Sequence, residues 1–409
     1  MNNRTILHAD VNNFYASVEM VKNPKLRGKA IAVCGDPEKR HGIILAKSYP
    51  AKACGIKTGD VIWEAKQKCP ELILLPADYS AYMKYSEIVF DIYTRFTDMV
   101  EPYGLDECWL DVTGSTKLFG SGKVIADDLR EIIKAETGLT ISVGVSFTKA
   151  FAKLGSDMKK PDATTEIPIE TFRNIIWQLP ASELIMVGRR TAAKLNKYNI
   201  NTIGELAKAD RELIGKTFGV VGLELINSAN GIEDASVRHY YDHRIPKSVG
   251  HSTTTPRDMI GREDVKAVIF ALSDQVAYRM RKLGLSGQGV SLYTRNKNLE
   301  GFGRQVKMQS LTNSGLDIAN AALKLLDKEF SIEIPLRMVG ISVFNLVRSK
   351  DIIQTSLFDD DLIAKSKLDN SLDYLRDKYG CNVLKRGVVL ENMDITDIFS
   401  DEEFMPFKR

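Results

Sequence analysis

Three acidic residues lie where short apolar segments end or begin. Asp10 closes the segment TILHADV, and the pair Asp106-Glu107 opens the segment DECWLDV. Because adjacent residues of a regular strand point to opposite faces of a sheet, Asp106 and Glu107 can serve one site only where the backbone bends. Gly104, just upstream, makes such a bend easy. We therefore expect two central strands to bring the three acids into one cluster.

A cluster of three carboxylates has a chemical consequence. The carboxylates repel one another and burial strengthens the conflict, so at least one should hold a proton unless cations are present. Oxygen ligands without Cys or His favour Mg²⁺ over zinc. Two Mg²⁺ ions bridged by aspartates suit phosphoryl transfer, in which one activates an attacking 3′-hydroxyl and the other neutralises a triphosphate. The alternative is that Asp10 caps the following helix and the other two acids are ordinary turn residues.

Length and composition indicate a soluble protein of several domains. A chain of 409 residues is too long for one hydrophobic core. Its apolar content of 44% and charged content of 27% are ordinary, and no segment approaches the roughly 18 uncharged apolar residues of a membrane span. The N-terminus does not resemble a secretory signal, so we expect a cytoplasmic protein without membrane attachment. The five cysteines are irregularly spaced, which indicates buried thiols rather than a zinc site.

The first half of the chain has the pattern of an α+β domain with a small insert. Residues 5–11 are predicted as a strand that leads into a helix, and residues 24–77 as a small mixed domain. The elements predicted after the insert are a helix over 78–100, a strand at ECWLDV, a helix over 123–136 and an alternating strand over 139–146. We expect these strands to form one sheet that helices cover on one face.

The second half is predicted to contain a helical region and another α+β domain. Residues 169–236 have short helical segments separated by turn glycines, and the polar, aperiodic residues 237–247 are predicted to be a linker. Residues 248–348 again alternate helices and strands. Beyond residue 349 we predict a poorly structured stretch, a helix over 368–380 and an acidic end.

The excess positive charge is local to the second α+β domain. Residues 248–348 contain 14 Lys/Arg against 9 Asp/Glu, in a chain whose total charge is only +3. Seven of these cations fall near strand ends or late in a helix: Arg279, Arg281, Lys282, Arg295, Lys297, Arg304 and Lys307. They could line a face that follows nucleic-acid phosphates without reading bases. The alternative is an ordinary solvated face.

Four segments resemble, in order and spacing, the four signature blocks of Y-family translesion DNA polymerases. They are DVNNFYASVE (10–19), AKSYPAKACGIKTGD (46–60), YGLDECWLDVTG (103–114) and SVGVSFTKAFAKLGSDMKKP (142–161). The pattern AK-x-x-GIK-x-GD looks more like the UmuC branch, including its relatives in Gram-positive bacteria, than like the DinB branch. The likeness covers residues 1 to about 400 and implies low-fidelity lesion bypass in DNA repair and the SOS response.

The resemblance implies a multidomain α+β fold of the right-hand polymerase type. Its parts would be a ferredoxin-like palm (1–23 and 78–168), small fingers (24–77), a helix-hairpin-helix thumb (169–236), a linker (237–247), an α+β little finger (248–348) and a tail (349–409). The implied partners are primer-template DNA, a deoxynucleoside triphosphate and the bacterial sliding clamp, with a recombinase filament or a UmuD-like accessory protein as further candidates.

The resemblance also assigns roles to residues. Asp10, Asp106 and Glu107 would hold two Mg²⁺ ions, with the backbone carbonyl of Val11 joining the second ion. Tyr15 would be the steric gate that excludes a ribose 2′-hydroxyl. The remaining residues placed at the nucleotide are Phe14, Tyr49, Lys52 and Lys160, of which the last three would contact the triphosphate.

Several positions depart from the family pattern. Asn12 stands where many relatives have a second aspartate, Gly104 where many have serine, and Lys52 where many have arginine. Neither Asn12 nor Gly104 replaces a metal ligand of the family, so we expect the protein to be active. The two changes could reduce the metal affinity or the catalytic rate. Of the two glycines expected in the thumb hairpin, Gly188 is present and Met186 replaces the other. The hairpin glycine Gly188 is expected to contact DNA phosphate through its backbone; the alternative, which the missing second glycine favours, is a plain structural turn.

The tail contains a peptide that resembles the Q-x-x-L-F clamp-binding motif of bacterial polymerases. Gln354, Leu357 and Phe358 would bind the sliding clamp, the two apolar side chains entering a pocket while the amide bonds at its rim. The alternative is a tail strand that packs on its own domain. Two other functions remain open at this point: a nucleotidyl cyclase with a similar two-metal palm, and a catalytically silent DNA-binding scaffold at stalled forks.

Overall fold

The computed structural model of this chain describes residues 4–35, 42–242, 244–329, 334–349, 360–380 and 383–396. The described chain forms two compact units, one made of residues 4–35 and 43–242 and the other of residues 244–396. The clamp-like residues Gln354, Leu357 and Phe358 lie outside the described residues. In the described part of the chain no helix is both long and apolar enough to cross a bilayer.

A five-stranded sheet forms the centre of the first unit. Its strands are β1 (Ile6–Val11), β5 (Val100–Pro102), β6 (Glu107–Asp111), β7 (Ile141–Ser146) and β8 (Thr164–Glu166). The order is β5-β6-β1-β7-β8; β1 pairs antiparallel with both β6 and β7, and β7 pairs parallel with β8. All six residues of β1 are buried because the strand has a neighbour on each edge and cover on each face.

Helices cover both faces of this sheet, so the prediction of helices on one face is wrong. The helices of this region are α1 (Phe14–Lys22), α4 (Tyr79–Thr94), α5 (Thr116–Phe119), α6 (Gly122–Thr137) and α7 (Lys149–Met158). Leu7 and Val143 share a core with Ile125 of α6, whereas Ile6 packs with Ala152 of α7 on the other face. Gly144 explains the second layer, because a Cβ there would lie 1.9 Å from the carbonyl oxygen of Ala152. Its missing side chain lets α7 lie directly on the sheet.

The insert between α1 and α4 is a small domain with its own core. Its strands and helices are β2 (Ile31–Cys34), β3 (Ile44–Lys47), β4 (Ile73–Pro76), α2 (Tyr49–Ala53) and α3 (Ile62–Lys68), with a 3₁₀ helix at Pro24–Leu26. The sheet order is β3-β2-β4. Ala32, Ile44, Ile56 and Leu72 are among the buried residues that hold it together. This agrees with the small mixed domain expected over residues 24–77.

A group of helices follows β8 in the first unit. These helices are α8 (Phe172–Ile176), α9 (Arg189–Asn196), α10 (Ile203–Ala207) and α11 (Arg211–Ala229). They enclose a core that includes Leu195, Ile203 and Leu225. Gly219 takes a φ of 66° inside α11 and kinks it, a conformation that glycine adopts without steric strain.

The chain then returns to the central sheet. Val237 is fully buried in the cluster that contains Ile6 and Ala152. Glu101 of β5 accepts hydrogen bonds from the Lys149 Nζ (2.7 Å) and from the backbone N–H of Arg238 (3.0 Å). Residues 237–242, which we predicted as the start of a linker, are therefore packed on the first unit.

The second unit is an antiparallel sheet with helices on one face. Its main elements are β9 (Ser248–Met259), α12 (Gly261–Lys282), β10 (Leu285–Asn296), β11 (Gly301–Thr312), α13 (Gly315–Glu329) and β12 (Leu336–Arg348), in the sheet order β11-β10-β12-β9. Residues from both long helices and from the sheet, including Leu272, Ile318 and Val290, share one core. The second α+β domain predicted from the sequence is thus present.

The tail contributes helices that pack on this unit. They are α14 (Asp360–Tyr379), α15 (Gly387–Leu390) and α16 (Met393–Thr396). The guanidinium group of Arg281 on α12 donates to both carboxylate oxygens of Asp373 on α14, at 2.6 and 2.7 Å. Lys282 pairs with Asp377 one turn further along at 2.6 Å. Helix α14 begins eight residues earlier than the predicted segment 368–380 and neutralises two cations of α12.

Candidate active site

Strand pairing brings the three acids together. Asp10 and Glu107 are direct cross-strand partners of β1 and β6, and the backbone N–H of Val11 donates to the carbonyl oxygen of Asp106 at 2.9 Å. Residues 103–106 form a bend before β6 begins at Glu107. The bend that the sequence required therefore exists, and it places Asp106 beside the regular pair.

Two lysines, one on α7 and one just after it, lie against these acids. Lys160 Nζ lies 2.6 Å from Asp10 Oδ2. Lys153 Nζ lies 3.1 Å from Glu107 Oε2 and 3.6 Å from Asp10 Oδ2. Among the residues that the structure describes, no three Asp, Glu, His or Cys side chains converge closely enough to hold a metal ion. Asp10 and Glu107 instead point toward the two ammonium groups.

The lysines compensate the negative charge only in part. Burial raises the pKa of Asp106 to about 7, and the neighbouring charges of Asp10 and Glu107 act in the same direction. Burial also raises the pKa of Asp10 to about 6, against the opposing effect of Lys160. For Glu107, contacts with His8 and Lys153 outweigh burial and lower the pKa to about 2. Two of the three acids therefore resist ionisation.

The donor set fits Mg²⁺ by its chemistry. Three carboxylates and the carbonyl of Val11 offer only oxygen ligands, which Mg²⁺ prefers. Glu107 Oε2 is a buried oxygen that the Lys153 ammonium approaches to 3.1 Å, so a cation is already attracted to this position. Burial raises the pKa of Asp10 and of Asp106, so added positive charge at this place would favour their ionised forms. These residues therefore fit a divalent metal by the chemistry of their donor atoms, although their side chains do not converge on one point among the described residues.

A ring of tyrosines fixes Tyr15 beside the acids. Its ring stacks on Tyr82 at a centroid distance of 4.2 Å and an interplanar angle of 10°, and Tyr79 packs edge-on at 6.0 Å. The Tyr82 hydroxyl donates to Glu19 Oε1 at 2.8 Å, which anchors the supporting ring. Phe14 is only 3% exposed and belongs to the core. Tyr15 is thus held rigidly, and Phe14 supports it from within.

The other predicted triphosphate contacts lie near Lys160. Tyr49 begins helix α2 after Ser48, whose hydroxyl caps the helix by accepting from the N–H of Ala51. Burial raises the pKa of Tyr49, and the charges of Lys160 and Asp10 also influence it, which places the three groups in one electrostatic neighbourhood. Lys52 Nζ lies 5.9 Å from the centroid of the Tyr49 ring. Helix α2 therefore brings the Tyr49 hydroxyl toward the acid cluster, with Lys52 beside the Tyr49 ring.

Sequence reasoning missed His8 and Lys153. His8 lies two residues before Asp10 on the same side of β1, with its Nδ1 2.8 Å from Ser156 Oγ and its Nε2 3.5 Å from Glu107 Oε2. The strand period alone could have pointed to it. Lys153 could be found only by placing α7 on the second face of the sheet. The prediction of helices on one face excluded that placement.

The predicted thumb hairpin has a strained residue at its tip. Met186 takes a φ of 73°, in the left-handed region that favours glycine, and its side chain is exposed. Gly188 precedes helix α9 with an extended backbone and open space around it. The contact between Gly188 and DNA phosphate stays a prediction.

The seven cations of the second unit do not line one face. Lys307 pairs with Gly289, and Arg295 lies on the same side of the sheet as these two residues. The paired residues Val290 and Val306 point to the opposite side, toward the core. Arg304 pairs with Leu292 and so belongs to the other side. The predicted cations elsewhere in the unit are Arg279, Arg281 and Lys282 late in helix α12 and Lys297 in the turn after β10.

Arg281 and Lys282 are already engaged by the tail helix. The side chain of Arg281 is only 10% exposed, since it is paired with Asp373. Lys282 is held by Asp377. The prediction that these two residues join a phosphate-binding face is therefore not supported by their contacts, and Arg295 and Lys307 are the better candidates.

Two family models match the chain. One, for the impB/mucB/samB family, covers residues 9–157, and the model of that family's C-terminal domain covers residues 246–357. A DNA polymerase IV of Acetivibrio thermocellus is 45% identical over 399 residues, which cover 97% of this chain and 100% of the relative. This chain is a Y-family DNA polymerase. It belongs to the translesion group, as the resemblance predicted.

Other relatives and the fold agree. This polymerase is 39% identical to a DNA polymerase IV of Pelotomaculum thermopropionicum (94% of the chain and 95% of the relative) and 34% identical to DNA polymerase IV 1 of Bacillus subtilis (98% of both). A solved Y-family DNA polymerase chimera matches 84% of the chain and 99% of its own length at a TM-score of 0.75 and 21% identity, which shows the right-hand fold. These relatives carry the name DNA polymerase IV and do not support the UmuC branch. The assignment of this chain to the UmuC branch stays a prediction.

The raised pKa of Asp106 predicts an unusual pH dependence of stability. In a chelating buffer, the unfolded chain ionises Asp106 near its ordinary pKa of about 4, whereas the folded chain resists ionisation until about pH 7. The free energy of unfolding should therefore fall between pH 5 and pH 8. Asp106→Asn should remove about 2 kcal/mol of that fall, since one pKa unit corresponds to about 1.4 kcal/mol.

Urea denaturation at the two pH values measures this effect on the first unit. Asp91→Asn, at an exposed position of α4, is the matched control and should leave the pH dependence unchanged. Equal pH dependence of the wild type and Asp106→Asn would show that the fold does not raise the pKa of Asp106.

Proposed function

We propose that this polymerase extends a primer past damaged template bases, at low fidelity, by nucleotidyl transfer with two Mg²⁺ ions. Asp10, Asp106 and Glu107, with the carbonyl of Val11, are the residues that would hold the metal. When bound, Mg²⁺ would supply the positive charge that favours the attacking 3′-hydroxyl and neutralises the triphosphate. The observation that carries the proposal is the meeting of one buried and two half-buried acids with Tyr15, Tyr49 and Lys160 at one end of the sheet.

The protein's own side chains account for nucleotide selection and placement. Lys160 is paired with Asp10 at 2.6 Å, and a triphosphate would compete with that carboxylate for the ammonium group. The hydroxyl of Tyr49 and the ammonium of Lys52, both on helix α2, would provide further contacts to the triphosphate. Lys153 remains with Glu107 and offsets part of the negative charge. The rigid Tyr15 ring leaves no adaptable space for a ribose 2′-hydroxyl.

We also propose partners beyond DNA and the nucleotide. Gln354, Leu357 and Phe358 resemble the peptide that binds the bacterial sliding clamp, and an SOS role with a recombinase filament or a UmuD-like protein would follow from the family resemblance. The relatives favour a polymerase over a nucleotidyl cyclase. A catalytically silent scaffold is the remaining alternative.

Primer extension with Mg²⁺ tests the proposed reaction. The wild type should extend a primer on an undamaged template and past a template lesion. Asp106→Ala should lower the extension rate at least about a hundredfold, because a removed metal ligand affects the chemical step directly. Failure of the wild type to extend, alone or with clamp and recombinase filament, would instead favour the silent scaffold.

Tyr15 is expected to set sugar selectivity. Tyr15→Ala opens the space beside the sugar, so the ratio of kcat/KM for deoxyribonucleotide over ribonucleotide should fall by about a hundredfold or more. Tyr82→Phe loses the bond to Glu19 but retains the ring that stacks on Tyr15, so the ratio should change by less than about twofold. Single-nucleotide insertion kinetics measures both variants, and an unchanged ratio in Tyr15→Ala would remove the steric-gate role.

The contacts of the cations predict which of them bind DNA. Arg295→Ala and Lys307→Ala should each weaken DNA binding and reduce the slope of log K against log salt by about 1. Arg281→Ala should leave that slope unchanged and lower the unfolding temperature, because Arg281 is paired with Asp373. Binding isotherms over a series of salt concentrations measure the slopes. Unchanged slopes in all three variants would indicate an ordinary solvated face.

A further inference from the structure

Asn12 lies at the centre of a buried hydrogen-bond network. Asn12 is only 1% exposed. Its Oδ1 accepts from the hydroxyl of Thr140 at 3.1 Å and from the backbone N–H of Asp162 at 2.9 Å, and its Nδ2 donates to Ser142 Oγ at 2.9 Å. The backbone of Asn12 is bonded as well, with its N–H donating to the carbonyl of Thr140. The residue therefore ties the end of β1 to β7 and to the turn at Asp162.

Arg130 of α6 holds the same turn from the other side. Its Nη2 donates to the carbonyl oxygen of Asp162 at 2.7 Å and to Oδ1 at 2.9 Å, and its Nε donates to Oδ1 at 3.1 Å. Asp162 takes a φ of 51°, in the left-handed region. A non-glycine residue held there needs surrounding contacts that favour it. Asn12 and Arg130 provide such contacts on the N–H, the carbonyl and the carboxylate.

The turn determines where Lys160 lies. Lys160 precedes Asp162 by two residues, with Pro161 between them. Its ammonium lies 2.6 Å from Asp10 Oδ2 and 3.0 Å from Asp157 Oδ1. Because Pro161 restricts the backbone between the two residues, fixing Asp162 also restricts the direction in which Lys160 leaves the chain.

We infer that Asn12 and Arg130 are positioning residues for Lys160: they fix the turn at Asp162 from two sides and thereby place the ammonium group beside Asp10, where the triphosphate would bind. This inference rests on the proposed role of Lys160. It gives Asn12 a function in this chain, although the family pattern has an aspartate there. The side-chain amide of Asn12 accepts two hydrogen bonds and donates one to Ser142. Unlike an aspartate, it adds no fourth negative charge beside the three acids.

The inference predicts an effect on nucleotide binding that passes through Lys160. Asn12→Ala and Arg130→Gln should each raise the KM for the incoming nucleotide about fivefold to tenfold, the size of one displaced charge-assisted contact, while kcat stays within about twofold. In a Lys160→Ala background the same substitutions should have no further effect, because the positioned group is gone. Asn12→Asp keeps the acceptor for Asp162 and should restore KM to near the wild-type value.

A control and an independent readout separate positioning from loss of fold. Arg95→Gln breaks an exposed ion pair with Glu136 elsewhere on the first unit and should change neither KM nor kcat. Hydrogen exchange at the Asp162 amide, measured on a peptide spanning residues 157–164, should be faster in Asn12→Ala and unchanged in Arg95→Gln. Hydrogen exchange does not require catalysis, so it tests whether Asn12 holds the turn at Asp162 even if the wild type fails to extend a primer.

Two results would overturn the inference. One is an Asp162 amide that exchanges at the wild-type rate in Asn12→Ala. The other is a KM effect of Asn12→Ala or Arg130→Gln that persists in full when Lys160 is alanine. Absence of primer extension by the wild type is a different result, which would remove the proposed function and leave the exchange measurement as the test of the turn.

Discussion

The crowding of three carboxylates, one buried and two half-buried, where two paired strands meet is the constraint on which the site depends. Cross-strand pairing of Asp10 with Glu107, and the bend that adds Asp106, follow from the order of the sheet. Their repulsion in a poorly solvated place has to be offset by positive charge. The structure supplies part of it from Lys153 and Lys160 and leaves Asp10 and Asp106 with raised pKa values.

The helix α7 on the second face of the sheet is the element that meets this constraint. Gly144 lets the helix approach, and the approach brings Lys153 to Glu107. The turn after the helix brings Lys160 to Asp10 and is held by Asn12 and Arg130. Under the proposed function, a metal-bound nucleotide would add the positive charge that favours the ionised forms of Asp10 and Asp106.

The sequence predicted the strands, the bend and the three acids because each has a local signal. An apolar run that ends in an acid, and a glycine before an acidic pair, can be read without knowledge of the fold. Lys153 could not be found in this way, since its position depends on a helix layer that only Gly144 reveals. The ion pairs of Arg281 and Lys282 could not be found in this way either, since Asp373 and Asp377 lie about 90 residues further along the chain.

The most direct test of this account is the response of stability to Mg²⁺ at pH 8. A ligand that binds only the folded state raises the unfolding temperature. If the acid cluster is short of positive charge, millimolar Mg²⁺ should raise the unfolding temperature of the wild type above that in sodium chloride of equal ionic strength, and Asp106→Asn should lose most of the rise. No Mg²⁺-specific rise in the wild type, or an equal rise in Asp106→Asn, would contradict the account.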